Sequence, residues 1–498
     1  MKGRVKSMLE VLKSQRLLLL KVLIALQISF LTFLFFRAVS DNRYYLAYED
    51  EVINYCSAKV FSETGSVRAE GCITEDVSRI GQMNWYGPGY AVMYGASQDF
   101  FGEDPTLFIK IHFVLALLSI TIIFFIPSSL ESRLLFCSAL LFTEQFTGYI
   151  FTYFPESIHL FFAIIFILLI TLIYQAKDVR KRNLYVTIFI GLVFAVVLLR
   201  STAIFWLTSL IGLSQTRKMM ISMIIVFLVG LGITLLYMRY FTAPPYAGDM
   251  QKIDQLFEFD LFGFIFKTIK ATMRNTFSLL KSGSFGVYIL LLLMGIAMVR
   301  WWQTKERLLL AALLVSISLV GALMAYYSAG PWYFLKQSAI LIPLIIFVLM
   351  VTNSPPMLKY GILMGGMLIF PLLYENISIT ILERQNAYNG WQNSKPFQSA
   401  LNELTNHISE DSEVTVVWCY NEYDYGSAAE ALLPFSTASG HPILYTTNIA
   451  TAQDKPEVRF QLHHKLKVNY ILSRYPLELP AVRLVHSTQF YHFYKIED

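Results

Sequence analysis

Three acidic residues, Glu49, Asp50 and Glu51, follow soon after the first long apolar segment of the chain. They open a stretch with helical periodicity, in which consecutive side chains lie about 100° apart around the helix axis. Asp50 and Glu51 therefore point in different directions, and we expect them to have different roles. Because a carboxylate within hydrogen-bonding reach of a hydroxyl can act as its general base, this helix is the first candidate for chemistry.

Two further charged residues lie at the tips of short connections between apolar segments. Glu156 follows Pro155, a residue that breaks the preceding helix and is favoured at the start of the next one. Arg200 interrupts the apolar stretch 184–213. Charges in or beside membrane spans are costly and are functional candidates by default. Each residue also has a structural interpretation. Glu156 would interact with the dipole of the helix that it begins, and Arg200 would snorkel to the membrane interface.

The composition indicates that most of the chain lies in lipid. Hydrophobic residues make up 55% of the 498 residues and charged residues only 15%. The formal net charge of +5 does not indicate nucleic-acid binding, because Lys and Arg lie in short links between apolar segments. We therefore expect a polytopic α-helical membrane protein with membrane lipid, and no nucleic acid, as a partner.

The pattern predicts eleven membrane spans. The first, 17–36, follows a basic tail and precedes no signal cleavage site, so we expect a retained span and a cytoplasmic N-terminus. Basic links flank 184–213 on both sides, which requires two short crossings that leave Arg200 recessed. The odd number of spans places the loop 41–104 and the C-terminus together on the exterior. The other ten spans are 107–126, 134–152, 158–174, 184–199, 201–213, 219–238, 285–299, 308–326, 337–351 and 361–373.

The chain divides by composition into two domains. Residues 1–373 form the predicted transmembrane catalytic domain, which includes the exterior loop 41–104 and an amphipathic segment, 241–281, on the membrane surface. This segment could cover a lipid ligand or simply connect two spans. Residues 374–498 form an exterior α/β domain. Its predicted strands are 414–418, 443–446, 468–472 and 490–496, and its predicted helices are 428–433 and 457–466.

Two of the four cysteines, Cys56 and Cys72, lie in the exterior loop 41–104. An oxidising compartment would allow them to form a disulfide, and two unrelated thiols are the alternative. Neither the cysteine nor the histidine spacing is typical of a zinc site.

The order of these features resembles the GT-C superfamily of glycosyltransferases that use polyprenyl-phosphate sugars. The similarity is to the branch of bacterial protein-mannosyltransferase-like and aminoarabinose-transferase-like enzymes, and O-antigen glucosyltransferases also have a similar size and an exterior C-terminal domain. It rests on the acidic pair with Ala58, the Trp-Tyr-Gly-Pro-Gly-Tyr segment 85–90, Glu156, and Tyr333 with Lys336 before Pro343.

The resemblance implies transfer of a sugar from undecaprenyl phosphate, or a similar carrier, to an acceptor on the outer face of a bacterial inner membrane. It assigns Asp50 as the general base, with Glu51 and Glu156 holding the acceptor or assisting. Arg200, Lys336 and Tyr333 are the candidates for binding the donor phosphate. An interfacial aromatic belt with a snorkelling lysine is the alternative for the last two.

Several points stay open within this resemblance. The expected acceptor is a lipopolysaccharide or other surface glycan, with lipid A or a protein as alternatives, and the C-terminal domain would be periplasmic. Members of the superfamily differ in their use of a divalent cation, so Mg²⁺ or Mn²⁺ is a possible cofactor. A flippase or transporter would instead show charges deep within spans and repeated broken helices. A lipid-linked glycan polymerase would have its catalytic residues in later exterior loops.

Overall fold

The structure is a computed structural model. It describes residues 2–40, 44, 49–67, 87–102, 104, 106–242, 254–281, 285–326, 340–352, 354–393, 416–420, 443–448, 470–473, 476, 482–489 and 491–496. The chain forms two compact units. The first unit contains Met1–Ser40, Phe108–Leu236 and Lys252–Thr380, and the second contains Asp41–Leu107, Tyr237–Gln251 and Ile381–Asp498.

The first unit is built from long apolar helices, because a chain in lipid must satisfy its backbone hydrogen bonds within each segment. Two of these helices, Arg217–Phe241 and Pro356–Asn393, begin in the first unit and end in the second. The helices are α1 Lys2–Val39, α4 Leu107–Phe125, α5 Leu130–Leu141, α6 Glu144–Thr147, α7 Glu156–Gln175, α8 Val179–Val197, α9 Thr208–Leu213, α10 Arg217–Phe241, α11 Leu261–Lys281, α12 Phe285–Thr304, α13 Arg307–Tyr326, α14 Leu341–Val351 and α15 Pro356–Asn393. Two 3-10 helices, Tyr149–Phe151 and Ser201–Leu207, precede α7 and α9.

The membrane class of the fold is confirmed. Among the described residues, seven helices are long and apolar enough to cross a membrane, and the pair from Leu130 to Phe151, bent by 72°, could form an eighth span. Each of the eleven predicted spans overlaps one or more helices of the described residues. Helices α8, α9 and α14 are among the predicted spans but do not meet the length and hydropathy criteria of a full crossing. The predicted count of eleven therefore stays a prediction.

The core of the first unit lies around α14. All residues from Leu341 to Met350 are buried, as expected for a helix that is apolar on every side. Helix α14 packs against α5, α7, α12 and α13. Its Phe347 ring lies edge-on to Phe136 of α5, with 5.2 Å between the ring centres.

Part of the predicted surface segment 241–281 is helix α11. One face of α11 carries large exposed apolar side chains, including Phe262, Phe266 and Phe277. Asn275 ties the helix to α13 by donating from Nδ2 to the Met324 carbonyl at 2.8 Å. An amphipathic helix is therefore present, and its location on a membrane surface stays a prediction.

The second unit contains two closely packed helices, α2 Glu49–Thr64 and α3 Pro88–Phe101. Gly95 permits this packing, because a Cβ atom at that position would lie only 2.5 Å from the Ala58 carbonyl oxygen. The start of α3 uses the predicted Gly-Pro segment. Gly87 adopts a φ of 86°, and Pro88 takes the first helical turn, where its missing N–H costs nothing.

The C-terminal part of the second unit is a five-stranded mixed sheet in the order β2-β1-β3-β5-β4. Strand β1 is parallel to β2 and β3, and β5 is antiparallel to β3 and β4. The strands are β1 Val416–Tyr420, β2 Ile443–Asn448, β3 Tyr470–Ser473, β4 Val482–Ser487 and β5 His492–Ile496.

The four predicted strands are confirmed, with ends that agree within about two residues. The start of β2 and the end of β5 are as predicted. Strand β4 was missed, because it is an edge strand whose exposed positions do not alternate regularly. The two predicted helices, 428–433 and 457–466, lie outside the described residues. The predicted domain boundary at residue 373 falls inside α15 and stays a prediction.

Candidate active site

The first charged candidate, Glu156, is the first residue of α7 and directly follows Pro155. The preceding turn is held by Thr152, whose Oγ1 donates to the Tyr149 carbonyl at 2.9 Å and accepts from the Phe154 amide at 3.3 Å. Glu156 is 1% exposed. The turn therefore delivers a carboxylate into the interior of the first unit.

The second charged candidate, Arg200, lies between α8 and the 3-10 helix Ser201–Leu207. Its side chain is 8% exposed, and Nη1 donates to Glu156 Oε1 at 2.8 Å. The guanidinium is thus paired inside the protein instead of extending to an interface, and the structure brings together two residues that the sequence had singled out separately.

A third residue, His159, belongs to the same cluster and was missed from the sequence. It lies one turn after Glu156 on the same face of α7, and its Nδ1 is 2.8 Å from Arg200 Nη1. A guanidinium has donors only, so this contact assigns Nδ1 as the acceptor and places the ring proton on Nε2. The backbone of Leu199 also interacts with the ring. A polar residue at i+3 from an acid in an apolar helix was the available signal. We call Glu156, His159 and Arg200 the α7 cluster.

The α7 cluster keeps unused hydrogen-bonding capacity. Within the described part of the chain, Glu156 Oε2 and His159 Nε2 are buried without a hydrogen-bond partner. Tyr149 lies close enough to Glu156, to Arg200 and to the exposed acid Glu144 to interact with their charges. Buried polar atoms are nearly always paired, so such exceptions call for an explanation.

A second buried ion pair lies in the second unit. Glu51 of α2 and Arg384 of α15 form a salt bridge, with side chains 0% and 1% exposed. Tyr44 is buried beside them; burial raises the pKa of its hydroxyl well above the ordinary value, Arg384 opposes this shift and Glu51 adds to it. We call Glu51 and Arg384 the α2 pair. Arg384 was missed because the last span was predicted to end eleven residues earlier.

Other predicted site residues lie partly or wholly outside the described residues. Asp50 is in the first turn of α2, but its side chain is outside the description, as is that of Cys56. Tyr333, Lys336 and Cys72 are outside it entirely. The general base, the phosphate contacts of Tyr333 and Lys336, and the Cys56–Cys72 disulfide all stay predictions.

The described residues contain no group of three or more His, Cys, Asp or Glu side chains placed to hold a metal ion. The use of Mg²⁺ or Mn²⁺ stays open. A cavity of about 680 Å³ lies at the other end of α7 and contains none of the predicted site residues. It is lined by Ser129, Gln175, Arg300, Thr352, Ser354 and Lys359, among others.

The fold is shared with two solved structures. The structure of ArnT from Cupriavidus metallidurans bound to undecaprenyl phosphate matches with a TM-score of 0.52 at 12% identity, covering 95% of this chain and 97% of that one. The archaeal oligosaccharyltransferase AglB from Archaeoglobus fulgidus, in complex with an inhibitory peptide and a dolichol-phosphate, matches with a TM-score of 0.51 at 11% identity. That match covers 90% of this chain and 69% of AglB.

Sequence comparison alone does not reach these proteins: no protein-family model matches the chain, and no curated protein matches it. The similarity to ArnT and AglB covers nearly the whole of this chain. The protein therefore shares the fold of ArnT and AglB.

Proposed function

We propose that the protein transfers a sugar from a polyprenyl-phosphate carrier to a hydroxyl of a surface glycan or lipid. One observation carries this proposal: the chain matches ArnT over 95% of its own length and 97% of ArnT, and that structure has undecaprenyl phosphate bound. A shared fold by itself does not establish an activity, so the proposal also rests on the chemistry of the charged residues.

The reaction is a displacement at the anomeric carbon of the sugar. The acceptor oxygen forms a bond to this carbon, the bond from the carbon to the phosphate oxygen breaks, and polyprenyl phosphate leaves with the electron pair. The acceptor proton passes to a carboxylate, for which Asp50 is the candidate. The position of Glu51 supports this choice, because its carboxylate is already engaged by Arg384.

Developing negative charge on the leaving phosphate requires cationic or hydroxyl donors. Lys336, Tyr333 and Arg200 are the residues proposed for this task from the sequence. Glu156 is proposed to hold the acceptor or to assist. A divalent cation, Mg²⁺ or Mn²⁺, would supply further charge compensation if the protein uses one.

We place the reaction on the outer face of a bacterial inner membrane, with a lipopolysaccharide or other surface glycan as the acceptor. The basic residues that flank the spans support a cytoplasmic N-terminus and an exterior C-terminus. Reporter tags after Met1 and after Asp498 should therefore label opposite sides of the membrane. Labelling on the same side would overturn this topology. The two short crossings around Arg200 would then be the first spans to re-examine.

The test of the activity uses full-length protein in nanodiscs with radiolabelled undecaprenyl-phosphate sugars and extracted surface glycans as acceptors. Asp50→Asn should reduce transfer by about 10²- to 10⁴-fold, the range for a lost general base. Glu63→Gln is the matched control, since it removes an acid from the last turn of the same helix.

Two results would contradict the proposal. Transfer above about a tenth of the wild-type rate in Asp50→Asn would move the base to another acid, because even a weak general base contributes more than that. Carrier flipping without any sugar transfer by the wild-type protein would identify a transporter instead.

A further inference from the structure

The α7 cluster has a composition that suits a neutral, hydroxylated ligand. Its two formal charges, on Glu156 and Arg200, are 2.8 Å apart and compensate each other. His159 is neutral, because its Nδ1 accepts from Arg200. The cluster therefore has no net charge, and a phosphate brought against it would also meet the carboxylate of Glu156.

Two buried atoms of the cluster, one on Glu156 and one on His159, form a complementary set. Glu156 Oε2 can only accept a hydrogen bond, and His159 Nε2 carries the proton and can only donate. Both atoms are buried, both lack partners among the described residues, and both belong to the first turn of α7. A hydroxyl group can donate to the first and accept from the second, whereas a fully ionised phosphate offers acceptors alone.

We propose that Glu156 and His159 form a binding subsite for the hydroxyls of an uncharged sugar, and that Arg200 is a positioning residue that orients both side chains. This inference rests on the proposed function and names the substrate class within it. It gives Arg200 a role different from the phosphate contact suggested by the sequence, and it assigns Glu156 to the sugar of the donor instead of to the acceptor. The carrier phosphate is then left to residues outside the α7 cluster.

The experiment measures binding of two kinds of lipid to the full-length protein in nanodiscs. One is undecaprenyl phosphate without a sugar, and the other is a panel of undecaprenyl phosphates that carry glucose, galactose, mannose or a positively charged amino sugar. The ratio of the two affinities isolates the contribution of the sugar. The wild-type protein should prefer at least one lipid with an uncharged sugar over the bare carrier.

The variants are chosen to separate the two hydrogen bonds. Glu156→Gln should reduce the preference for the sugar about tenfold, because one strong acceptor is lost, while the affinity for the bare carrier stays unchanged. His159→Asn retains an acceptor near the Nδ1 position but has no donor at Nε2, so it should lose the preference to a similar degree. His159→Gln places an amide donor near Nε2 and should retain most of it.

The control is Glu131→Gln, which removes an acid that pairs with the Tyr360 hydroxyl on another part of the first unit. It should leave both affinities unchanged. Should Glu156→Gln fail to fold, the contrast between His159→Asn and His159→Gln carries the test, because a purely structural histidine would not distinguish the two by sugar preference.

Three outcomes would overturn the subsite. If the Glu156 and His159 variants reduced the affinities for both kinds of lipid equally, the cluster would be a phosphate site, as the sequence suggests for Arg200. Unchanged affinities in these variants, or a wild-type protein that binds both lipids without a preference, would remove any role in sugar binding. A wild-type protein that binds neither lipid would instead overturn the proposed function, and the subsite with it.

Discussion

The two buried ion pairs among the described residues differ in how completely their carboxylates are satisfied. In the α2 pair, no carboxylate oxygen of Glu51 is among the buried atoms that lack a hydrogen-bond partner in the described residues. In the α7 cluster, Glu156 Oε2 is such an atom, and so is His159 Nε2. A carboxylate whose two oxygens are both satisfied can hold two helices together, whereas a carboxylate with an unused oxygen retains a hydrogen bond for a ligand.

The pairs also differ in what they connect. Glu51 and Arg384 are 333 residues apart, so the α2 pair joins distant parts of the second unit. Glu156 and Arg200 are 44 residues apart, at one end of the neighbouring helices α7 and α8. The first arrangement is suited to positioning α2, and the second to presenting polar atoms within an apolar unit.

The largest expected effect is on stability at the α2 pair. Arg384→Ala would leave the Glu51 carboxylate buried and uncompensated, which should lower the free energy of unfolding by about 3–5 kcal/mol. The double variant Glu51→Gln with Arg384→Met should recover most of this loss, since replacing both partners removes the unpaired charge. Denaturant unfolding of the purified protein in detergent measures the stability of both variants. An unchanged unfolding midpoint in Arg384→Ala would contradict the stabilising role of the α2 pair.

The next effect separates the two pairs by activity. Glu156→Gln with Arg200→Met should fold normally and reduce sugar transfer about 100-fold, since two hydrogen bonds of about 1.4 kcal/mol each are lost. The double variant of the α2 pair should retain transfer to within about tenfold, because Asp50 stays on the same helix. A comparable loss at both sites would return Glu51 to a catalytic role.

A smaller effect is expected from the packing of α2 against α3, close to the α2 pair. Gly95→Ala should lower the free energy of unfolding by about 1–3 kcal/mol, because the added methyl group meets the Ala58 carbonyl and Phe61. Gly191→Ala in α8 is the control, since a Cβ there meets nothing within 4 Å and alanine is the better helix former. Equal free energies of unfolding for the two variants would show that the close packing of α2 and α3 does not contribute to stability.

The smallest effect is a pH dependence from Tyr44. Its folded-state pKa is raised by burial, so its contribution to stability is fully present below the unfolded pKa of about 10 and is lost as the pH rises above that value. Tyr44→Phe should therefore reduce the loss of thermal stability above about pH 10, relative to wild type. Tyr240→Phe, at an exposed tyrosine, is the control. An identical alkaline profile in Tyr44→Phe and wild type would contradict the burial argument.

Much of the helical architecture was predictable because membrane helices are local features of the sequence. An apolar run such as 158–174 satisfies its own backbone and appears as α7, almost residue for residue. The C-terminal strands were also predicted, since buried strands are short apolar runs between polar turns. Strand β4 was missed, because an edge strand with Arg483 and His486 has no continuous apolar run.

The candidate site was predictable only in part. Glu156 and Arg200 stood out because a charge in an apolar segment is costly in lipid, and both are buried in the structure. His159 carried the same signal more weakly and was passed over. Arg384 carried none, since it lies after the last predicted span in a segment with other polar residues, where an arginine is unremarkable.

The sequence by itself determined that this is a helical membrane protein, where its apolar helices lie, and which few charges must be accounted for inside it. Those properties follow from hydropathy and from hydrogen bonds between residues close along the chain. The tertiary structure alone decided which charges meet: Glu156 with Arg200 and His159, and Glu51 with Arg384. Ion pairing acts over a few ångströms in space and leaves no periodic mark on the sequence, so only the packing of the helices selects the partners.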